Sequence, residues 1–493
     1  MDDFYLRHKC VVLVLFFAGM AVLLSSCVNI QDKATELGSS GKVGKAQMSA
    51  FLDVIKDKVE PDDPNFFTYD KLDTNKVASF IYNTCLTAGI KINRQDIYNG
   101  SAKLVRPSVK PILSIYIEDS ESMDAYVSGV TGFKDAIYSL AGSIITADTL
   151  TQGINLYYIN NAIQFRRQTA DANTLLQFIQ NLDPSTFRNN GGNRKSSDMR
   201  GLLQQVLDST DDRHVNVLIS DFVFSPGQHQ DATSYLQQQS TGIKIAIAQK
   251  IEQYDLAIEI LQMHSHFSGI YFDQHDKRVP LTGDRPFYIW LIGSKKKIKA
   301  IGKSGVLTTI KGGVDNTLVF YKQSGPSLHS HKILFSHKDG DFEIQGGASG
   351  DMSTAKPNDV NNTFGFDMLV NYKKEMEDIA FFDDTNNYTH NPNYKLTISR
   401  LQENDDPASV GYTHCLHLST QSLQEQKIQL FTVAKVPTWV TAHDSENDTN
   451  IGKDPSQMNK TFGLQYLIQG LYEAFYTTPH QNKITEVEIT IKK

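Results

Sequence analysis

The sequence predicts an α/β unit built on a doubly wound, mainly parallel sheet, followed by a β-rich, sandwich-like C-terminal domain. Between residues 107 and 305, short apolar runs of buried-strand character alternate with stretches whose apolar residues recur at helical spacing. After residue 306 the helical spacing fades and strand-like runs follow one another across polar turns. The third observation is bulk composition. A chain of 493 residues, 40% hydrophobic and 21% charged, can bury two or three cores and is neither disordered nor a cysteine-stapled scaffold. Its 48 Lys and Arg against 55 Asp and Glu leave no cationic surplus for a phosphate backbone, so nucleic acid is not an expected partner.

The N-terminus reads as an export signal. Arg7 and Lys9 precede an apolar run from Cys10 to Leu24, too short to span a bilayer comfortably but suited to a signal-peptide core. Leu24-Ser25-Ser26-Cys27 then resembles the lipobox of bacterial lipoproteins. That resemblance implies lipidation of Cys27, removal of residues 1–26, and a membrane-anchored protein of the bacterial cell envelope. Only Cys85 and Cys415 then remain, and paired or free states are both open.

Residues 27–65 are polar, with Gly38-Ser39-Ser40-Gly41 and Pro61-Asp62-Asp63-Pro64, and suit a tether. Within them Met48, Phe51, Leu52 and Ile55 suggest one short helix. A helix over 70–92, carrying Val77, Phe80, Ile81 and Leu86, is expected to pack on the next domain, which then spans 66–305.

In that domain, Ile112–Ile117, Ile154–Ile159, Val215–Ser220, Leu256–Met263 and Phe287–Ile292 read as strands. Helical faces fall at Phe133, Ile137, Leu140 and Ile144, at Leu175, Ile179 and Leu182, at Met199, Leu202, Leu203, Val206 and Leu207, and over 232–253. In such a sheet ligands bind at the carboxyl ends of the strands. The C-terminal domain, 306–493, offers strands near 317–321, 332–336, 364–372, 394–401, 411–418, 428–433 and 484–491, with one helix over 462–476.

The chemistry-bearing residues cluster at strand ends. Glu118-Asp119-Ser120-Glu121-Ser122-Met123 follows the first strand, Asp221 ends the third, and the Gly-rich loop Asn189–Ser197 lies between them. This constellation resembles the von Willebrand factor A-type domain, whose adhesion site uses Asp-x-Ser-x-Ser, a loop Thr and a strand-end Asp. The resemblance covers about 200 residues. It implies a divalent-cation site of Glu118, Ser120, Ser122, Ser196 or Ser197, and Asp221. Hydroxyls with one or two carboxylates suit Mg2+ or Mn2+, which keep several waters and leave a position for a partner's acidic side chain. Glu118 stands where the family has Asp, a longer side chain that changes its contact with an ion.

A rival set is His264, His266 and Asp273, expected on one strand and its hairpin, which fits Zn2+ or Fe2+ and a metal-dependent hydrolase. A third reading is a metal-free structural component of an envelope complex. His414 and His417, three apart in a strand, point to opposite faces and cannot share an ion. Asp444-Ser445-Glu446-Asn447-Asp448 reads as a solvated acidic turn. No nucleophile elbow, His-Glu-x-x-His or phosphate loop is present, so an enzyme is the less expected outcome. The leading expectation is a lipoprotein that binds a protein partner through its von Willebrand A-like domain.

Overall fold

The computed structural model describes residues 30–39, 48, 50–52, 54–55, 59, 63, 65–68, 71–92, 97, 110–147, 150–167, 171–195, 198–211, 213–227, 231–322, 326–329, 331–345, 350–402, 409–476 and 481–493. The lipobox and Cys27, and the loop serines Ser196 and Ser197, lie outside the described residues. The chain divides into two units, Met1–Val109 and Lys110–Lys493.

In the first unit, α1 (Ile30–Ser39) and α2 (Thr74–Thr87) share one apolar core. Ala34, Leu37, Phe51, Leu52 and Ile55 are buried there with Val77, Ala78, Ile81 and Cys85. The stretch expected as a tether therefore contributes to a folded core among its described residues. Its three- and four-residue apolar spacing, diluted by polar neighbours, marks the buried face of helical turns. The helix expected to join the α/β unit likewise belongs to this first unit. Cys85 and Cys415 are both free thiols.

The second unit opens with β1 (Ile112–Glu118), a 3-10 turn (Glu121–Tyr126) and α3 (Gly132–Thr146). Next come β2 (Gly153–Ile159), β3 (Ile163–Arg167), α4 (Ala172–Gln180), α5 (Pro184–Asn189) and α6 (Met199–Asp208). They are followed by β4 (His214–Ser220), α7 (Ala232–Gln253), β5 (Leu256–Phe272), β6 (Arg278–Ser294), α8 (Lys295–Lys303) and β7 (Asn316–Tyr321). Aspartate caps start four of these helices: Asp171, Asp183, Asp198 and Asp231 accept from Thr174, Thr186, Gly201 and Ser234 N–H at 2.7, 2.8, 3.1 and 2.8 Å.

The sheet has seven strands in the order β3-β2-β1-β4-β6-β5-β7. It is mixed rather than mainly parallel. Only β1–β2 and β1–β4 pair in parallel, and the other four ladders are antiparallel. The cause is the β5–β6 hairpin, two 17-residue strands paired from Leu256–Ser294 to Phe272–Arg278 where two short buried strands were expected. Helices cover both faces. Phe133 of α3 packs edge-on against Phe287 at 5.0 Å, and Phe475 stacks on Phe320 at 5.8 Å. Phe320 pairs through Ile258 with Ile292, an odd number of residues from Phe287, so the two contacts lie on opposite faces.

The β-rich part contains β8 (His331–Asp339), β9 (Asp341–Gln345), β10 (Asp351–Lys356), β11 (Phe364–Val370), β12 (Lys395–Arg400), β13 (His414–Thr420), β14 (Gln426–Val433) and β15 (Lys483–Ile491). One sheet runs β8-β11-β13-β12; in the other, β9-β10-β15-β14 form the central path. Phe366, Met368, Leu416 and Leu418 from the first meet Phe342, Ile428, Leu430 and Ile489 from the second in one core, which is the packing of a sandwich.

The expected boundary at 305/306 does not separate the cores. β7 belongs to the seven-stranded sheet, and α9 (Leu464–Phe475) returns to it from the far end of the chain. Leu464, Leu467, Ile468 and Leu471 are buried with Leu236, Ile243 and Ile247 of α7. A Cβ on Gly470 would stand 2.6 Å from Ser240 O, so only glycine permits the two helices to approach this closely. Among the described residues, no helix is long and apolar enough to cross a membrane.

Candidate functional site

β1 and β4 are neighbouring parallel strands, so their carboxyl ends bring Glu118–Ser122 beside Ser220–Asp221. Every residue of both strands after the first is buried, which leaves chemistry to the turns that follow.

The hydroxyls of Ser120 and Ser122 lie 2.9 Å apart. Asp221 is 1% exposed; its Oδ1 accepts from Val223 N–H at 3.2 Å, while Oδ2 is buried with no hydrogen-bond partner. Burial pushes the Asp221 carboxyl up from the ordinary aspartate range, against the Val223 N–H, the Arg285 charge and the Ser122 hydroxyl. Two hydroxyls over an unsatisfied buried carboxylate oxygen are a donor set that fits a hard divalent cation.

Glu118 plays a different part at one of its oxygens. The Ser220 hydroxyl donates to Glu118 Oε2, and Ser220 Oγ accepts from Phe222 N–H at 2.7 Å. Glu118 thus braces the turn that carries Asp221. That turn is unusual: Phe222 has φ +51, a region bulky side chains rarely enter, and is held there by stacking on Trp290 at 4.5 Å. The structure therefore brings Ser120, Ser122 and Asp221 together and ties Glu118 to Ser220.

Sequence reasoning assigned no role to Asp119, Asn160, Asn190 and Arg194, which dock the Gly-rich loop on the site. Asp119 Oδ1 accepts from Asn160 Nδ2 at 2.9 Å and Oδ2 from Asn190 Nδ2 at 3.0 Å. Burial raises the Asp119 carboxyl, and these two amides oppose the rise. Arg194 donates to the carbonyls of Asp119 and Ser120 at 2.6 and 3.1 Å and pairs with Asp124. Gly192 has φ +78, and a Cβ there would collide with the Asn160 amide. The run Asn189-Asn190-Gly191-Gly192-Asn193 was the only signal in the sequence, and it named the loop without naming its partners.

The rival set does not converge. His264 Nδ1 lies 2.6 Å from Asp315 Oδ2, whereas His266 faces Asp284. Asp273 Oδ1 accepts from the N–H groups of His275 and Lys277, closing the hairpin turn. Asp273 lies seven steps beyond His266 along extended β5, which holds them roughly 23 Å apart, too far to share an ion. Among the described residues, no group of three His, Cys, Asp or Glu side chains is placed to hold a metal. His414 is buried in the sandwich and His417 is half-exposed on its other face, as the alternation requires. The 444–448 segment is a correction: Asp448 is 2% exposed and accepts from Tyr271 OH at 2.6 Å and Gln274 N–H at 2.9 Å, locking the hairpin to the C-terminal segment.

A cleft of about 770 Å3 opens elsewhere, between α8 and β7 on one side and residues 376–381 and 434–439 on the other, with Glu259, Lys303, Glu377 and Trp439 in its walls. No known protein family matches the chain, and none of the curated proteins does.

Proposed function

We propose that this chain is a cell-envelope lipoprotein, anchored to the membrane through Cys27, whose von Willebrand A-like domain binds a protein partner at the Ser120–Ser122–Asp221 edge. Mg2+ or Mn2+ held by Ser120, Ser122 and Asp221, with a hydroxyl of Ser196 or Ser197, would receive an acidic side chain of that partner, and Glu118 would hold the Asp221 turn. The observation that carries the reading is the pair of serine hydroxyls 2.9 Å apart beside a buried aspartate oxygen without a partner. Parallel strands β1 and β4 aim these groups at the carboxyl edge of the sheet, where such folds bind ligands.

A ligand that binds only the folded state stabilises it by mass action. Millimolar Mg2+ or Mn2+ is therefore expected to raise the melting temperature of residues 28–493. Asp221→Ala, or Ser120→Ala with Ser122→Ala, is expected to abolish the rise. Unchanged melts in the native protein across both ions would leave a metal-free interaction surface as the better account.

A further inference from the structure

We propose that Arg285 is the resident counter-ion of Asp221 and sets how tightly this edge holds a divalent cation, an inference that rests on the cation reading above. The strand register supports it. β4 and β6 run antiparallel with Ser220 opposite Tyr288, so one step further places Asp221 opposite Phe287. Arg285, two residues along β6, then lies on the same face as Asp221 as its diagonal neighbour, within reach of so long a side chain. Tyr126, at the end of the 3-10 turn that carries Ser122, donates to Pro286 O at 2.6 Å and fixes that turn over the same stretch of β6.

Arg285 is 0% exposed, and its setting is built rather than incidental. Nη1 and Nη2 donate to the carbonyls of Met458 and Lys460, each at 3.3 Å, and the guanidinium lies 4.5 Å from the Tyr271 ring centre. Its Nε, like Asp221 Oδ2, is buried without a hydrogen-bond partner. A buried carboxylate must be matched by a proton or a cation, and a buried guanidinium needs an anion. Asp221 and Arg285 supply each other's opposite charge through space, with no direct hydrogen bond between them. Mg2+ or Mn2+ on Asp221 would bring two further positive charges close to that guanidinium, where little water screens them. Arg285 therefore weakens cation binding while keeping the edge folded without an ion.

The test is Mn2+ titration by calorimetry, with melting in EDTA and in millimolar Mn2+, on the full mature chain. Arg285→Gln is expected to bind Mn2+ at least about tenfold more tightly than the native protein and to melt lower in EDTA but not in Mn2+. Arg285→Lys keeps the charge and is expected to behave as the native protein does. Adding Asp221→Asn to Arg285→Gln removes the stranded carboxylate and is expected to restore stability in EDTA, a readout that holds even if Arg285→Gln alone folds poorly. Equal Mn2+ affinity in the native protein and Arg285→Gln, equal tightening by Gln and Lys, or no rescue by Asp221→Asn would each overturn the proposal. Mn2+ binding that ignores Ser120→Ala and Ser122→Ala in every background would instead place the ion elsewhere and remove the cation reading itself, whatever the rescue shows.

Discussion

The second unit buries carboxyl groups in two regions and compensates them in opposite ways. At the carboxyl edge of the sheet, Asp221 shares its face with the fully buried Arg285. At the junction of the α/β and β-rich parts, Glu377 receives the Tyr321 hydroxyl on Oε1 at 2.7 Å, while Oε2 has no partner. Glu375 is close to it and is itself bound to His329 at 2.7 Å. Burial first, and the Glu375 charge second, push Glu377 up to about 7, and burial moves Glu259 in the nearby cleft wall to about 7 as well. The edge sets its acid on the same face as a counter-charge, whereas at the junction burial and the Glu375 charge outweigh the Lys295 charge, and the acid keeps its proton up to about pH 7.

Three changes would break or sharpen that contrast. The largest effect is expected from Leu471→Ala, because the junction depends on α9 filling the α/β core and Leu471 is 0% exposed. Denaturant unfolding should show a loss of about 2–5 kcal/mol in a single transition if both parts share one cooperative core. Two resolved transitions, with only the first shifted, would show instead that the sandwich holds itself together.

Glu377→Gln should come next. The unfolded state sheds the Glu377 proton near pH 4.5 and the folded state near 7, so the folded protein binds the extra proton between those values. Stability is then full below about pH 4.5, falls as pH rises towards 7, and levels off above it. Glu377→Gln should flatten that fall and stabilise the protein at pH 8 by at most on the order of 3 kcal/mol, with little effect at pH 4.5. Parallel pH profiles for the two proteins would mean that the Lys295 charge outweighs burial at the junction.

The smallest effect is expected at the edge from Tyr271→Phe. It strips Asp448 of its 2.6 Å donor while Gln274 N–H and the packing around Arg285 remain. A loss of roughly 1–3 kcal/mol fits the removal of one hydrogen bond to a buried carboxylate. Burial raises the Asp448 carboxyl and the Tyr271 hydroxyl opposes that rise, so Tyr271→Phe should also move its titration upward, and an unchanged pH profile would mean that Gln274 N–H alone holds the charge.

How much of this was legible in the sequence follows from the range of the interactions. The runs at 112–117 and 215–220 announced β1 and β4 because strands buried on both faces must be apolar throughout. Ser120, Ser122 and Asp221 were legible because they directly follow those runs, where side chains first become free for chemistry. The β5–β6 hairpin was only half legible: past Met263 the strand carries His264, His266 and Ser268, so its apolar signal stops while its ladder of hydrogen bonds continues to Phe272.

Local pattern by itself determined the caps, the helical faces, the alternation of β13–β15 and the strand ends that gather the two serines and Asp221. Each of these depends on neighbours within a turn of helix or a step of pleat. Only the tertiary structure decided that α9 completes the α/β core, that Asp448 is buried under Tyr271, and that Arg285 stands on the face of Asp221. Those residues come from segments separated by 64 to more than 200 positions. A charged residue looks the same in a sequence whether it meets water or a buried partner. The difference is set by which distant strand removes its water, and no period of 2 or 3.6 records that.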